Sequence, residues 1–325
     1  MTSREIILAN FANDAGIRPG MDFDRGRMND LFYGGAEPYG YTQRRWTEGS
    51  REYYDDPWGN IWVRMKDGCQ KGEIYKQALD NWDNLDSMTW PDFSADSCYK
   101  AVRADFAADS ERFHIFCLPG WIFERSRYLR RLDEYFIDMI ENPEKLHVLH
   151  NKLADIFSGI IVKAAEIGAD AIFFCEDMGT QKGLFFSAAM WREFFGAIYR
   201  RLFGMAHDCG MKVMMHSCGY NWDILPDLIA AGVDCFQFDQ PLIYDTKKLA
   251  LLLKQHKKVL WSPVDIQKVM PTGNRELIES AAREMVRAYR GGLICKNYTD
   301  LAGIGVKKEW DEWAYDAICH EAGIN

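Results

Sequence analysis

Two side chains that bind soft metal ions stand two positions apart in the segment KVMMHSCGYNWDILPDLIAAGVDCFQFDQP, residues 212–241. They are His216 and Cys218, with only Ser217 between them. Side chains two apart on an extended chain point the same way, so an imidazole and a thiol converge on one spot. Both ligate zinc, Cys as thiolate and His as neutral imidazole. The other reading of the pair is a hydrogen-bonded core His beside an inert Cys. The pair ends a predicted strand over Lys212–His216; a helix over Trp222–Ala231 and a strand over Asp234–Asp239 follow, bringing Asp239 toward the same region.

The elements that must position these groups alternate regularly after Ala101. Strands are expected at 114–118, 171–175, 212–216, 234–239, 258–261 and 291–295, with helices between them. Such alternation implies a parallel sheet. Residues 21–23 and 60–64 supply two further candidate strands, and eight would close a TIM (β/α)8 barrel. No Gly-rich dinucleotide fingerprint follows any strand, which argues against the open doubly wound alternative. The expectation is an α/β chain of one domain, residues 1–325, whose first 100 residues form a helical and loop-rich extension over the barrel. Asp30 to about Tyr54 reads as a long loop.

In a parallel barrel the carboxyl ends of the strands share one rim, where chemistry is placed. That rim gathers Glu176 and Asp177, His216 and Cys218, Gln237 and Asp239, Asp265, and Cys295 with Lys296 and Asn297. Cys295 is either a third zinc ligand or one more apolar strand residue. Asp239 is either an oxygen ligand or a partner that orients His216. Glu176 and Asp177 are candidate acid–base groups, thiol-orienting acids, or caps for the loop MGTQKG. Arg25, Arg27, Arg125 and Arg127 are candidates for gripping substrate carboxylates, with ordinary ion pairs as the plainer reading. Trp121, Phe123, Phe185 and Phe186 either line a pocket or simply pack.

Bulk properties bound the function. The net charge of -9 argues against nucleic acid or an anionic membrane as partner. The opening MTSREIILANF lacks a signal-peptide core, no apolar run is long enough to span a bilayer, and a cytoplasmic location is expected. Nine scattered cysteines suggest reduced thiols, not a disulfide framework.

The order GADAIFFCEDMGTQ, WREFF, HDCGMKVMMHSCG, AAGVDCFQFDQP resembles the uroporphyrinogen decarboxylase superfamily. More narrowly it is similar to the branch of zinc-dependent methyltransferases that use methyl-corrinoid proteins. The resemblance implies a TIM barrel with zinc at its mouth, held by a His-x-Cys pair, here His216 and Cys218, and a distant Cys, which falls on Cys295. Family members carry that third Cys in a Pro-Gly-Cys turn, whereas this chain has GGLICKNYTD. Cobalamin-independent methionine synthases, a distant relative in site design, add an acid on the next strand, which falls on Asp239. True decarboxylases open with Arg-Gln-Ala-Gly-Arg; here DFDRGRMND leaves only Arg25 and Arg27 as substrate-binding candidates, joined by Gln237 at the rim. The resemblance therefore implies methyl transfer from a corrinoid carried by a partner protein to a small thiol or a folate. The catalytic acids would be Glu176, Asp177 and Asp239. The alternatives are a metal-free decarboxylase-like lyase and a non-catalytic barrel that binds a corrinoid or its carrier.

Overall fold

The computed structural model describes residues 1–66 and 72–324. Its twelve strands, in chain order, are β1 Gly20–Asp22, β2 Leu31–Gly35, β3 Arg45–Glu48, β4 Arg51–Asp55, β5 Ile61–Met65, β6 Glu73–Lys76, β7 Phe113–Cys117, β8 Ala171–Cys175, β9 Lys212–His216, β10 Cys235–Gln237, β11 Val259–Ser262 and β12 Leu293–Lys296. Eight of them form one parallel sheet in the order β1-β12-β11-β10-β9-β8-β7-β2. Each strand lies beside its chain neighbour within that set, as successive βα units of a TIM barrel require.

The seam between β1 and β2 is closed by Asp30 instead of a ladder. Its backbone N–H donates to Met21 O at 2.7 Å, and its carboxylate accepts the Met21 N–H at 2.8 Å. Arg18 grips the same carboxylate through both terminal nitrogens, at 2.7 and 2.8 Å. A buried acid is thus paired and fully hydrogen-bonded where the sheet would otherwise expose unpaired backbone.

The eighth barrel strand differs from the expectation. Residues 60–64 belong to a separate four-stranded antiparallel sheet, β3-β4-β5-β6, and β2 takes the barrel position. Part of the stretch read as a long loop is therefore β2, β3 and β4. The sequence LFYGG hides a strand because glycines have low strand propensity. Gly34 is needed there because a Cβ would overlap the Val102 side chain on the helix Lys100–Ala108.

Strand alternation divides the core. Inside the barrel lie Leu31, Ile115, Met214, Val259, Trp261 and Ile294. The helix Ser3–Phe11, started by a Thr2–Glu5 capping box, plugs the amino end of the strands with Ile7 and Phe11. The larger cluster lies between strands and outer helices. Trp121 stacks on Phe174 there at 4.2 Å between ring centroids. Trp121 and Phe123 are both fully buried and therefore belong to the packing, not to an open pocket. Among the described residues all eight cysteines are free thiols, and no helix is long and apolar enough to cross a membrane.

Candidate metal centre

β8 and β9 are paired so that Cys175 lies opposite His216, and the loops following them supply the site. The loop Ser217–Asn221 is held from several sides. Asn221 Nδ2 donates to Ser217 Oγ at 2.9 Å and to Gly219 O at 3.1 Å, and Tyr244 Oη donates to Gly219 O at 2.9 Å. The Tyr220 N–H donates to Thr180 O at 2.8 Å, tying this loop to the one after β8. The Cys218 N–H donates to Asp177 Oδ1 at 2.8 Å.

This scaffold brings Asp177, His216 and Cys218 together, with one potential ligand atom from each lying within 4.8 Å of the others. His216 Nε2 stands 3.4 Å from Cys218 Sγ and 3.4 Å from Asp177 Oδ1. Metal–ligand bonds of about 2.0–2.3 Å at tetrahedral angles separate donors by roughly 3.3–3.6 Å, so these spacings suit one zinc-sized ion. Three protein donors of O, N and S type leave a fourth position open, as at catalytic zinc. The Asp177 side chain is 40% exposed, so the cluster is reachable from outside.

Electrostatics agree with the geometry. Burial works against the Asp177 charge, but the His216 hydrogen bond and charge, the Cys218 N–H and Arg127 bring its pKa down to about 2. Burial would lower the His216 imidazole, yet hydrogen bonds and charges from Asp177 and Cys218 lift it well above its ordinary value. The metal-free imidazole thus carries a proton that a metal ion would displace.

Gln237 stands beside His216. Its side-chain carbonyl Oε1 makes a short hydrogen bond with His216 Nδ1, and its Nε2 donates to Asp239 Oδ1 at 2.7 Å. Lys296 Nζ lies 3.5 Å from that same Asp239 oxygen. Asp239 is therefore placed as an orienting partner two steps behind the imidazole, apart from the three clustered donors.

The other expected site residues lie elsewhere. Glu176 is fully buried and faces the helix Ile122–Arg130, accepting the Phe123 N–H at 2.8 Å, the Glu124 N–H at 2.7 Å and a short bond from Tyr199 Oη. It anchors that helix at its positive end. Burial pushes it up to about 8, against the pull of those three donors. Cys295 is fully buried in the outer cluster, on the face of β12 opposite its barrel-interior neighbour Ile294, and burial raises its thiol. The structure does not bring it to His216 and Cys218. Arg27 donates to Asp311 Oδ2 at 2.7 Å and to Asp24 Oδ1 at 3.1 Å, and Arg25 lies 3.5 Å from Asp24 and 3.8 Å from Asp311. Both guanidiniums join the start of the chain to its last helix, and Arg27 keeps one buried nitrogen, Nη1, without a hydrogen-bond partner among the described residues.

Arg125 and Arg127 likewise each have a buried Nε with no hydrogen-bond partner among the described residues. Inside the barrel a further group of residues, most with no expected role, is tied together. Trp261 Nε1 donates to Asp22 Oδ2 at 3.1 Å, Tyr33 stacks on Trp261 at 6.2 Å, and Lys296 Nζ lies 5.5 Å over the Trp261 ring. Tyr33 is 38% exposed although it belongs to a barrel strand. Cys117 is pushed up to about 12 by burial and by Cys175, and Cys218 Sγ is set against the His216 imidazole.

The sequence profile of the Uroporphyrinogen decarboxylase (URO-D) family matches residues 123–296. A methylated-thiol–coenzyme M methyltransferase of Methanosarcina mazei is 26% identical over 145 residues, 45% of this chain and 37% of that protein. The match thus spans little more than a third of that relative's length. A solved structure of a methyltransferase from Methanosarcina mazei shares the fold with a TM-score of 0.61 at 12% identity, covering 97% of this chain and 83% of that one. With more than half of its residues inside the profile, and with its similarity running to the methyltransferase-like branch, the chain belongs to the uroporphyrinogen decarboxylase family.

Proposed function

We propose that this protein transfers a methyl group from a methyl-corrinoid, carried by a partner protein, to a small acidic thiol. The observation that carries the reading is the cluster of Asp177, His216 and Cys218, in which His216 Nε2 lies 3.4 Å from both Cys218 Sγ and Asp177 Oδ1, a spacing suited to one metal ion. Zinc held there would supply one thing: it lowers the pKa of a thiol at the open position, so the acceptor is a thiolate at neutral pH. The similarity to a methylated-thiol methyltransferase supports a sulfur substrate.

The chain's own residues do the positioning. Asp177 brings an anionic oxygen and fixes the Cys218 backbone, and Gln237 orients the imidazole. Tyr33, stacked on Trp261 and 38% exposed, offers an aromatic face that suits the flat face of a corrinoid or the apolar part of a thiol. The positive charges of Arg125 and Arg127 favour an acceptor with an acidic tail, and the Arg127 charge already reaches Asp177. A methyl-corrinoid would supply the methyl group as a cation equivalent, keeping the electron pair of its carbon–cobalt bond while the acceptor thiolate would form the new carbon–sulfur bond. A decarboxylase-like reading would call on Arg25 and Arg27, and both form ion pairs with Asp24 and Asp311.

The test is elemental analysis joined to a transfer assay. Stoichiometric zinc, and demethylation of methylcobalamin by 3-mercaptopropionate in preference to 2-mercaptoethanol, are expected. Loss of zinc and transfer together in His216→Ala and Cys218→Ala completes the expected pattern. Full activity on any substrate with no metal would overturn the reading. Equal use of the two thiols would remove the acidic tail from it.

A further inference from the structure

The orientation of one side-chain amide decides which nitrogen of His216 faces the carboxylate and the thiol. Gln237 is 3% exposed and lies between His216 Nδ1 and Asp239 Oδ1. A carboxylate only accepts hydrogen bonds, so the NH2 end of the amide must face Asp239. The carbonyl end then faces His216, and a carbonyl also only accepts. Nδ1 therefore carries hydrogen, and Nε2 is the nitrogen presented to Cys218 Sγ and Asp177 Oδ1, both 3.4 Å away.

This arrangement holds only while the Asp239 carboxylate stays in place against Gln237 Nε2. Asp239 is 7% exposed, and a buried carboxylate without a counter-charge is costly. The charge near it comes from Lys296, whose Nζ lies 3.5 Å from Oδ1. Lys296 is on β12 and Asp239 follows β10, so the side chain reaches across the strand between them. It does so over the face of Trp261 on β11, at 5.5 Å from the ring centroid. Trp261 is itself fixed by its bond to Asp22. Lys296 is thus held in a defined place by an aromatic face with an acid on each side.

We propose that Lys296 is a positioning residue of the metal centre: through Asp239 and Gln237 it holds His216 with hydrogen on Nδ1 and the lone pair on Nε2. The proposal rests on reading His216 as a metal ligand. Without the ammonium the Asp239 carboxylate loses the partner that holds it against Gln237 Nε2. The Gln237 amide is then free to turn, presenting its NH2 to Nδ1 and moving hydrogen to Nε2, where it blocks ligation. Groups that orient a ligating imidazole typically change metal affinity about 10–100-fold when removed.

The experiment measures zinc affinity by chelator competition, and the tautomer of His216 by side-chain 15N–1H NMR of the zinc-treated full chain. The His216→Gln variant assigns the signal. Lys296→Met is expected to weaken zinc binding about tenfold or more and to lose the single Nδ1–H signal, while Lys296→Arg restores both. Asp239→Asn, which keeps the shape of the side chain, is expected to behave like Lys296→Met. Wild-type affinity and an unchanged Nδ1–H signal in Lys296→Met overturn the proposal. So does weaker zinc binding with the tautomer intact, which would mark general loosening. If the wild type takes up no zinc yet keeps hydrogen on Nδ1 alone at a pH where the ring is neutral, the metal reading fails and the relay stands.

Discussion

Glu176 and Asp177 are neighbours in the chain whose carboxylates face opposite ways: Glu176 accepts the Phe123 and Glu124 N–H groups of an outer helix, and Asp177 accepts the Cys218 N–H at the barrel mouth. One backbone step at the end of β8 thus joins a structural anchor to the candidate metal centre. A shift of the helix Ile122–Arg130 would be felt at Asp177 through that step.

The anchor has a pH signature. Burial raises Glu176 in the folded protein to about 8, against an ordinary value of 4.5. A raised carboxyl binds its proton more tightly when folded, so its contribution is complete below about pH 4.5 and is lost as pH rises toward 8. Urea unfolding across that window should show wild-type stability falling more steeply with pH than that of Glu176→Gln. Parallel pH profiles for the two proteins would refute this.

Cys218 and Cys295 should separate cleanly. Cys218→Ala removes a ligand from a partly exposed loop, so zinc should be lost with little change in melting temperature. Cys295→Ala thins a fully buried packing contact and should cost about 1 kcal/mol, with zinc retained. Zinc stoichiometry and thermal unfolding of both variants decide the point, and loss of zinc from Cys295→Ala would contradict the placement.

These outcomes also mark how far the residues could be read without coordinates. The His-x-Cys spacing announces itself because two side chains two apart on a strand must converge. Cys295 misleads because Leu293-Ile294-Cys295 is uniformly apolar, and no period of two tells inward from outward. The sense comes from pairing: Ile294 faces Trp261 in the interior, and Cys295 therefore faces out. β2 is hidden by its two glycines. The Lys296–Asp239 contact joins residues 57 apart, and Arg27 meets Asp311 at a separation of 284 residues. Such pairs exist only once the barrel has closed, and no local pattern foretells them.

Arg27 should prove a structural residue. It is 14% exposed at the side chain and serves Asp311, which is 5% exposed. Removing one partner of a buried pair leaves the other charge uncompensated, at a cost of about 3–5 kcal/mol. Arg27→Met should therefore lower the urea midpoint strongly, and Asp311→Asn in the same chain should recover part of the loss. The KM for the thiol should stay unchanged in the double variant. A large KM change with unaltered stability would return Arg27 to the substrate.

Gly219 ends the turn that carries Cys218, and its replacement tests whether the turn's shape or merely its side chains hold the candidate metal site. Its φ of 82° lies where side chains other than glycine are strained. A Cβ there would also overlap Gly179 O in the facing loop, a backbone atom with no rotamer to yield. Gly219→Ala must either push the two loops apart or rotate the peptide after Cys218. Either movement disturbs the Cys218 N–H bond to Asp177 and the Tyr220 bond to Thr180. Strain of this kind costs about 1–3 kcal/mol in stability, but misplacing a donor weighs more heavily on affinity than on folding. The expected result is a protein that still unfolds cooperatively while zinc binds at least tenfold more weakly, by the same reasoning on ligand orientation. Wild-type zinc affinity in Gly219→Ala would show that the turn tolerates the methyl group and that the close loop contact is not what places Cys218.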